Sequence, residues 1–102
     1  MKYQLVLQLP SSSMTDYDRL LSIVQTIRDG LGELGIVDGH DIGSGEMNVF
    51  VHTDNPNLSF EKIMALLRDR NDLQELKAGY RDFDKDEYIA IFPAGLTHFS
   101  VI

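Results

Sequence analysis

A chain of 102 residues with 43% hydrophobic and 25% charged side chains has the length and balance of one globular domain. The net charge of −7 opposes non-specific binding to nucleic acid, whose phosphates need Lys and Arg partners. The absence of cysteine removes disulfides, thiolate metal sites and cysteine nucleophiles.

The first element is predicted in "KYQLVLQLP". Tyr3, Leu5, Leu7 and Leu9 alternate with Gln4, Val6 and Gln8, the period of a half-buried strand, and Pro10 ends it. This N-terminal segment has neither the apolar length nor the cleavage site of a signal peptide. No run in the chain approaches the roughly 18 apolar residues of a membrane span. With no cysteine to cross-link, the expectation is a cytoplasmic protein that has no membrane partner.

The period then changes. Tyr17, Leu20, Leu21, Val24, Ile27 and Leu31 fall at helical spacing, with Ser13 or Thr15 as the cap and Asp16 and Asp18 near the positive end of the helix dipole. Gly30, Gly32 and Gly35 mark its end. "IVDGHDI" and "EMNVFVHT" follow as two strands joined by a tight turn at "GSG", where Gly43 and Gly45 permit positive φ. With Ser44 and Gly45 as a two-residue turn, Ile42 pairs with Met47, both towards the core, and Asp41 faces Asn48. Glu46, Asn48, Phe50 and His52 share the outward face.

A second helix is expected from "DNPNLSFEKIMALLRDRNDLQEL", capped by Asn57 or Ser59, with Phe60, Ile63, Met64 and Leu67 as its apolar stripe. "KAGYRDFDKDEYIAIFP" reads as a strand, a charged turn and a further strand, the latter apolar on both faces and so covered on both sides. The tail "PAGLTHFSVI" carries Leu96, Phe99, Val101 and Ile102. It is expected to dock, as an added strand, as a cover for the open sheet face, or by exchange with a neighbour. The order predicts a ferredoxin-like β-α-β-β-α-β sandwich of the α+β class in one domain over residues 1–102. Two helices lie on one face of an antiparallel sheet, with an extra C-terminal strand. That fold hosts many functions and names none.

The chemistry concentrates in "VDGHDIGSGEMNVFVHTDNP". Asp41, Glu46 and His52 are of metal-ligating types, but Glu46 and His52 are six residues apart. That is about 20 Å along a strand, so they cannot share one ion. His40 and Asp41 are neighbours on a strand and point to opposite faces, which rules out an orienting pair. "GSGE" is a hairpin turn and not a nucleophile elbow. No Lys or helix follows the glycines, so no phosphate cradle forms. No catalytic constellation, metal site or cofactor is therefore assigned. What remains is charge: from Asp29 to Glu61 there is no Lys or Arg, against seven carboxylates. His40, Asp41, Glu46, Asn48, Phe50, His52 and Asp54 are the candidate binding residues. An apolar patch of Val6, Phe50, Ile89 and Ile91 on the outer sheet face is expected to support a homodimer.

The same run, with the later "YRDFDKDEYIAIFPAG", resembles a group of small bacterial proteins of uncharacterised function that carry a Gly-His-Asp-x-Gly-Ser-Gly-Glu-x-Asn hairpin before a helix. The resemblance covers most of the chain and implies a ferredoxin-like fold and a bacterial cytoplasm, with no activity attached. Small acidic domains of this sort are also similar in character to immunity proteins that neutralise a basic toxin. A looser similarity, to ACT-like metabolite-binding domains, would place a ligand at Pro10 to Asp16, a stretch without the glycine those domains carry there. The leading expectation is a non-enzymatic interaction module with a basic protein partner. A dimeric small-ligand regulatory domain is the alternative, and a metal-dependent or other small enzyme the third.

Overall fold

The computed structural model describes residues 1–13 and 15–101. In chain order it has β1 (Tyr3–Pro10), α1 (Asp16–Gly30), a short 3-10 turn (Gly32–Leu34), β2 (Ile36–Gly43), β3 (Glu46–Thr53), α2 (Pro56–Leu66), β4 (Lys77–Asp82) and β5 (Ile89–Phe92). The strands form one five-stranded antiparallel sheet in the order β2-β3-β1-β4-β5. β1 is central, paired with β3 on one side and β4 on the other, and Leu5 to Leu9 are buried on both faces, where the alternation had predicted a half-buried strand. The α+β class expected from the pattern is the class observed, and β5 is the added strand.

One core sits between the sheet and the helices. Leu5, Leu7 and Leu9 of β1 and Met47, Val49 and Val51 of β3 meet Leu20, Ile23, Val24 and Ile27 of α1 and Ile63 of α2. The stripe of α1 is rotated from the one predicted. Ile23 is buried, whereas Tyr17 and Leu21 are 45% and 38% exposed. Both spacings are helical, and the tertiary packing of α1 in the core selects between them. α2 ends at Leu66, short of the Leu76 expected, since Arg68 to Leu76 continue as turns and loop, and its cap also differs from the expectation of Asn57 or Ser59. Asn55 Oδ1 accepts the Leu58 N–H at 3.1 Å, with Pro56 in the first turn, and Ser59 is wholly buried. Thr15 does stand at the N-cap of α1, but makes no side-chain cap bond. The Asp16 carboxylate instead takes the N–H groups of Ser12 and Ser13 at 2.8 and 3.2 Å.

The β2–β3 hairpin has the register read from its sequence: Ile42 opposite Met47 and Asp41 opposite Asn48. Positive φ falls on Ser44 (55°) and Gly45 (80°), the signature of a type I′ turn, and not on Gly43. Serine is a poor occupant of the left-handed region. Ser44→Asn is therefore expected to stabilise the fold by about 0.5–1 kcal/mol, read as a raised thermal midpoint. An unchanged or lowered midpoint would contradict the turn assignment. Ile42 is not in the core: on an outer strand, near the start of α1, it is 38% exposed while Met47 is buried.

The other face of the sheet is covered by the tail. Phe99 is 5% exposed and its ring lies over Gly79, the β4 partner of Val6. Tyr88 packs edge-on to Phe99 at 5.4 Å, and Gln8 Nε2 donates to the Ser100 carbonyl at 3.0 Å. Of the three fates considered for this segment, the covering one is realised for residues up to 101; Ile102 lies outside the described residues. The expected exposed patch of Val6, Phe50, Ile89 and Ile91 does not form. Val6 is fully buried, Phe50 is half-buried, and Ile91 leans on the core; Ile89 alone stands out, 55% exposed on β5. β5 is covered below, where Phe92 meets Phe60 of α2 at 5.4 Å, but not along its outer edge.

Candidate functional site

The hairpin residues fall into three groups once folded. On the outer face, Asn48 Nδ2 donates to Asp41 Oδ1 at 2.9 Å, and Gln8 Nε2 donates to Asn48 Oδ1 at 3.1 Å. With the Gln8–Ser100 bond this makes a chain of side-chain amides across β2, β3 and β1, ending on the tail. Asn48 is 3% exposed and Gln8 6%, so Asn48 holds the sheet together beneath the tail and offers little surface to a partner. Asp41 stands at the open end of the chain, exposed.

The second group lies at the other end of the same face. The register of β2 shifts between Val37 and Gly39, and Asp38 sits at this irregularity. Its carboxylate approaches His52 Nε2 at 3.4 Å. His52 also packs edge-on against Phe83 at 4.8 Å, and the Arg81 guanidinium lies over Phe83 and Tyr88. Asp38 escaped the sequence reading because strict alternation cannot show which way a bulged residue points. Glu46 is half-buried beside a small cavity of about 160 Å³ that Glu75 and Lys77 also line. Phe50 lies half-buried between these groups, opposite Val6 and Gly39. Asp54 is exposed beyond β3 and accepts the Lys2 N–H at 3.0 Å.

His40 belongs to the third group, on the opposite face. Its pairing partner Val49 is a core residue, and its ring lies 6.3 Å from that of Tyr17. Its Nδ1 is buried and finds no hydrogen-bond partner among the described residues. Beside it, Ser11, Ser13, Tyr17, Ile42 and Gly43 line an open groove of about 420 Å³. The Ser11 N–H donates to the Gly45 carbonyl at 2.9 Å, which holds the groove residue Ser11 to the hairpin turn. Exposed Tyr17 and Ile42 were assigned to the core in the sequence, so the groove had no signal there.

These positions bear on chemistry. His40 and His52 lie on opposite faces and cannot act on one substrate. Among the described residues no three His, Asp or Glu side chains converge as a metal site would require. The loop from Pro10 to Asp16 has its Ser12 and Ser13 amides filled by Asp16. Those two bonds, with help from Arg19, hold the Asp16 carboxyl below its usual range. They are not free for an anionic ligand. The strongly bonded carboxylate of Asp72, in a fork with Arg70 at 2.9 and 2.7 Å, is likewise committed within the fold.

Against this geometry, no helix among the described residues is long and apolar enough to cross a membrane. Comparison with family models, with curated proteins and with solved structures finds no match, so the surface of the hairpin, and no relative, carries the functional reading.

Proposed function

We propose that this protein is a non-enzymatic interaction module that takes a basic protein partner on its β2–β3 hairpin. The observation that carries this reading is one of charge in place. β2 and β3 contain no Lys or Arg, and they present Asp38, Asp41 and Glu46 on or beside the outer face. An acidic surface built on two strands without Lys or Arg steers a basic protein inward and makes association fast and sensitive to salt. An immunity-like role, in which the basic partner is a toxin in the same bacterial cytoplasm, is the biological form we favour. The strand order supports a ferredoxin-like assignment for the scaffold. Without β5 it reads β4-β1-β3-β2, with each helix joining two strands that flank a third.

The test is capture on the immobilised protein at low and high salt, beside a variant carrying Asp38→Asn, Asp41→Asn and Glu46→Gln. Wild type is expected to retain a basic protein at low salt and release it at high salt. The variant is expected to lose about tenfold or more in association rate, since these charges act on encounter. Retention of nothing by wild type, or of the same proteins at the same rate by the variant, would refute the reading.

A further inference from the structure

Among the described residues β2 is paired on one side only, with β3, and no strand lies on its other side. In a two-residue hairpin the pair flanking the turn, here Gly43 with Glu46, is hydrogen-bonded, and pairs alternate from there. The main-chain N–H and C=O groups of His40 and Ile42 therefore point away from β3, into the open. Free edges are usually blunted by Lys, by Pro or by a covering segment. β2 has no Lys and no Pro. Its irregularity is confined to Val37–Gly39, and Gly39 to Gly43 pairs regularly.

The two flanks of this edge differ in chemistry. On the helix side lies the groove with Tyr17 and Ile42, 45% and 38% exposed, and Leu21 one turn along α1 adds a third exposed apolar side chain. On the outer side stand Asp41 and Asp38, without a cation on either hairpin strand. A second copy paired here would bring carboxylates of both chains together across the new ladder, and like charges opposite one another are destabilising. An extended segment with Lys or Arg at alternate positions meets the opposite balance. Its charges reach Asp41 and Asp38 while the intervening apolar side chains enter the groove.

We infer that the Gly39–Gly43 edge accepts an extended basic segment of a partner protein as an added strand. Main-chain bonds to His40 and Ile42 give the attachment, and the two flanks select alternating apolar and basic side chains. The inference rests on the reading of the hairpin as a basic-partner face and gives that reading a geometry.

The experiment uses a short synthetic peptide alternating lysine with valine. One companion has every peptide nitrogen methylated, and another has glutamate in place of lysine. Titration calorimetry is expected to show binding of the parent peptide, with new hydrogen-exchange protection at the amides of His40 and Ile42. Methylation is expected to weaken binding by about tenfold or more, because a methylated backbone cannot donate to a strand. The glutamate peptide is expected not to bind, and Asp41→Asn, which keeps the acceptor for Asn48, is expected to weaken the parent. If the methylated peptide binds as well as the parent, strand addition is overturned while the acidic-face reading stands. If neither binds, both fall. If the protein alone sediments as a dimer with the His40 and Ile42 amides already protected, a second copy is the occupant, and the inference is overturned.

Discussion

Gly79→Ala is expected to destabilise the fold by about 2 kcal/mol and to lift the C-terminal segment from the sheet. A Cβ at this position would stand 2.5 Å from Phe99 Cδ2, 2.6 Å from Phe99 Cγ and 3.1 Å from the Ile89 carbonyl. The Phe99 ring is buried, with Tyr88 against it, so it cannot turn aside within its place. It has to leave, exposing Val6 and the Gln8–Asn48 pair to water. Two readouts follow: a lower urea midpoint and faster proteolytic cleavage after Phe99. The double variant Gly79→Ala with Phe99→Ala is expected to cost less than the sum of the single changes, because removing Phe99 Cγ and Cδ2 removes the clash. A Gly79→Ala protein with the wild-type midpoint and cleavage rate would show that the tail does not rest on this strand.

The second large effect is expected at Thr53. Its hydroxyl lies 2.8 Å from the Leu34 carbonyl, 2.6 Å from Ser59 Oγ and 3.0 Å from the Asn55 N–H, which donates to it. Thr53 and Ser59 are both fully buried, so this knot ties the turn after α1, the end of β3 and the start of α2 without water. Thr53→Val keeps the shape and removes the hydroxyl. It leaves the Asn55 N–H without its acceptor and the Leu34 carbonyl with one donor fewer, at an expected cost of about 2 kcal/mol. Ser59→Ala is expected to cost about half of that, because Thr53 still donates to Leu34 and still accepts from Asn55. Equal losses from the two changes, in a denaturant titration, would mean that the hydroxyls do not divide the bonds in this way.

Local pattern carried most of the scaffold. The strand over Tyr3–Leu9, the helix over Leu20–Ile27 and the Ser44–Gly45 turn are properties of short segments and are found there, whereas packing decided which side chains of the first two are buried. What escaped the sequence depends on contacts between distant segments. Thr53 and Ser59 look like ordinary strand-end and helix-start residues until Leu34 is brought against them. Asn48 has the pattern of a surface polar group, yet it is buried and bonded to Gln8, 40 positions away in the chain. Tyr17 and Ile42 have apolar side chains at core-like positions, yet they flank an opening because β2 is the outermost strand. The candidate site was legible as a stretch of charge. The alternation also divided His40 from Asp41 and set Asn48 and His52 outward; the pairing of Asp38 with His52 required the bulge, and the burial of Asn48 required contacts from outside the hairpin.

The bond between Gln8 and Ser100 joins residues 92 positions apart. Both side-chain protons of Gln8 are committed, one to Asn48 within the sheet and one to the tail carbonyl. A single carboxamide thus records two events on separate clocks. The proton held by Ser100 exchanges with solvent each time the tail lifts, whereas its twin is released when the neighbouring strands part. The ratio of the two exchange rates gives the lifetime of the cover relative to that of the sheet, inside one side chain and without a label.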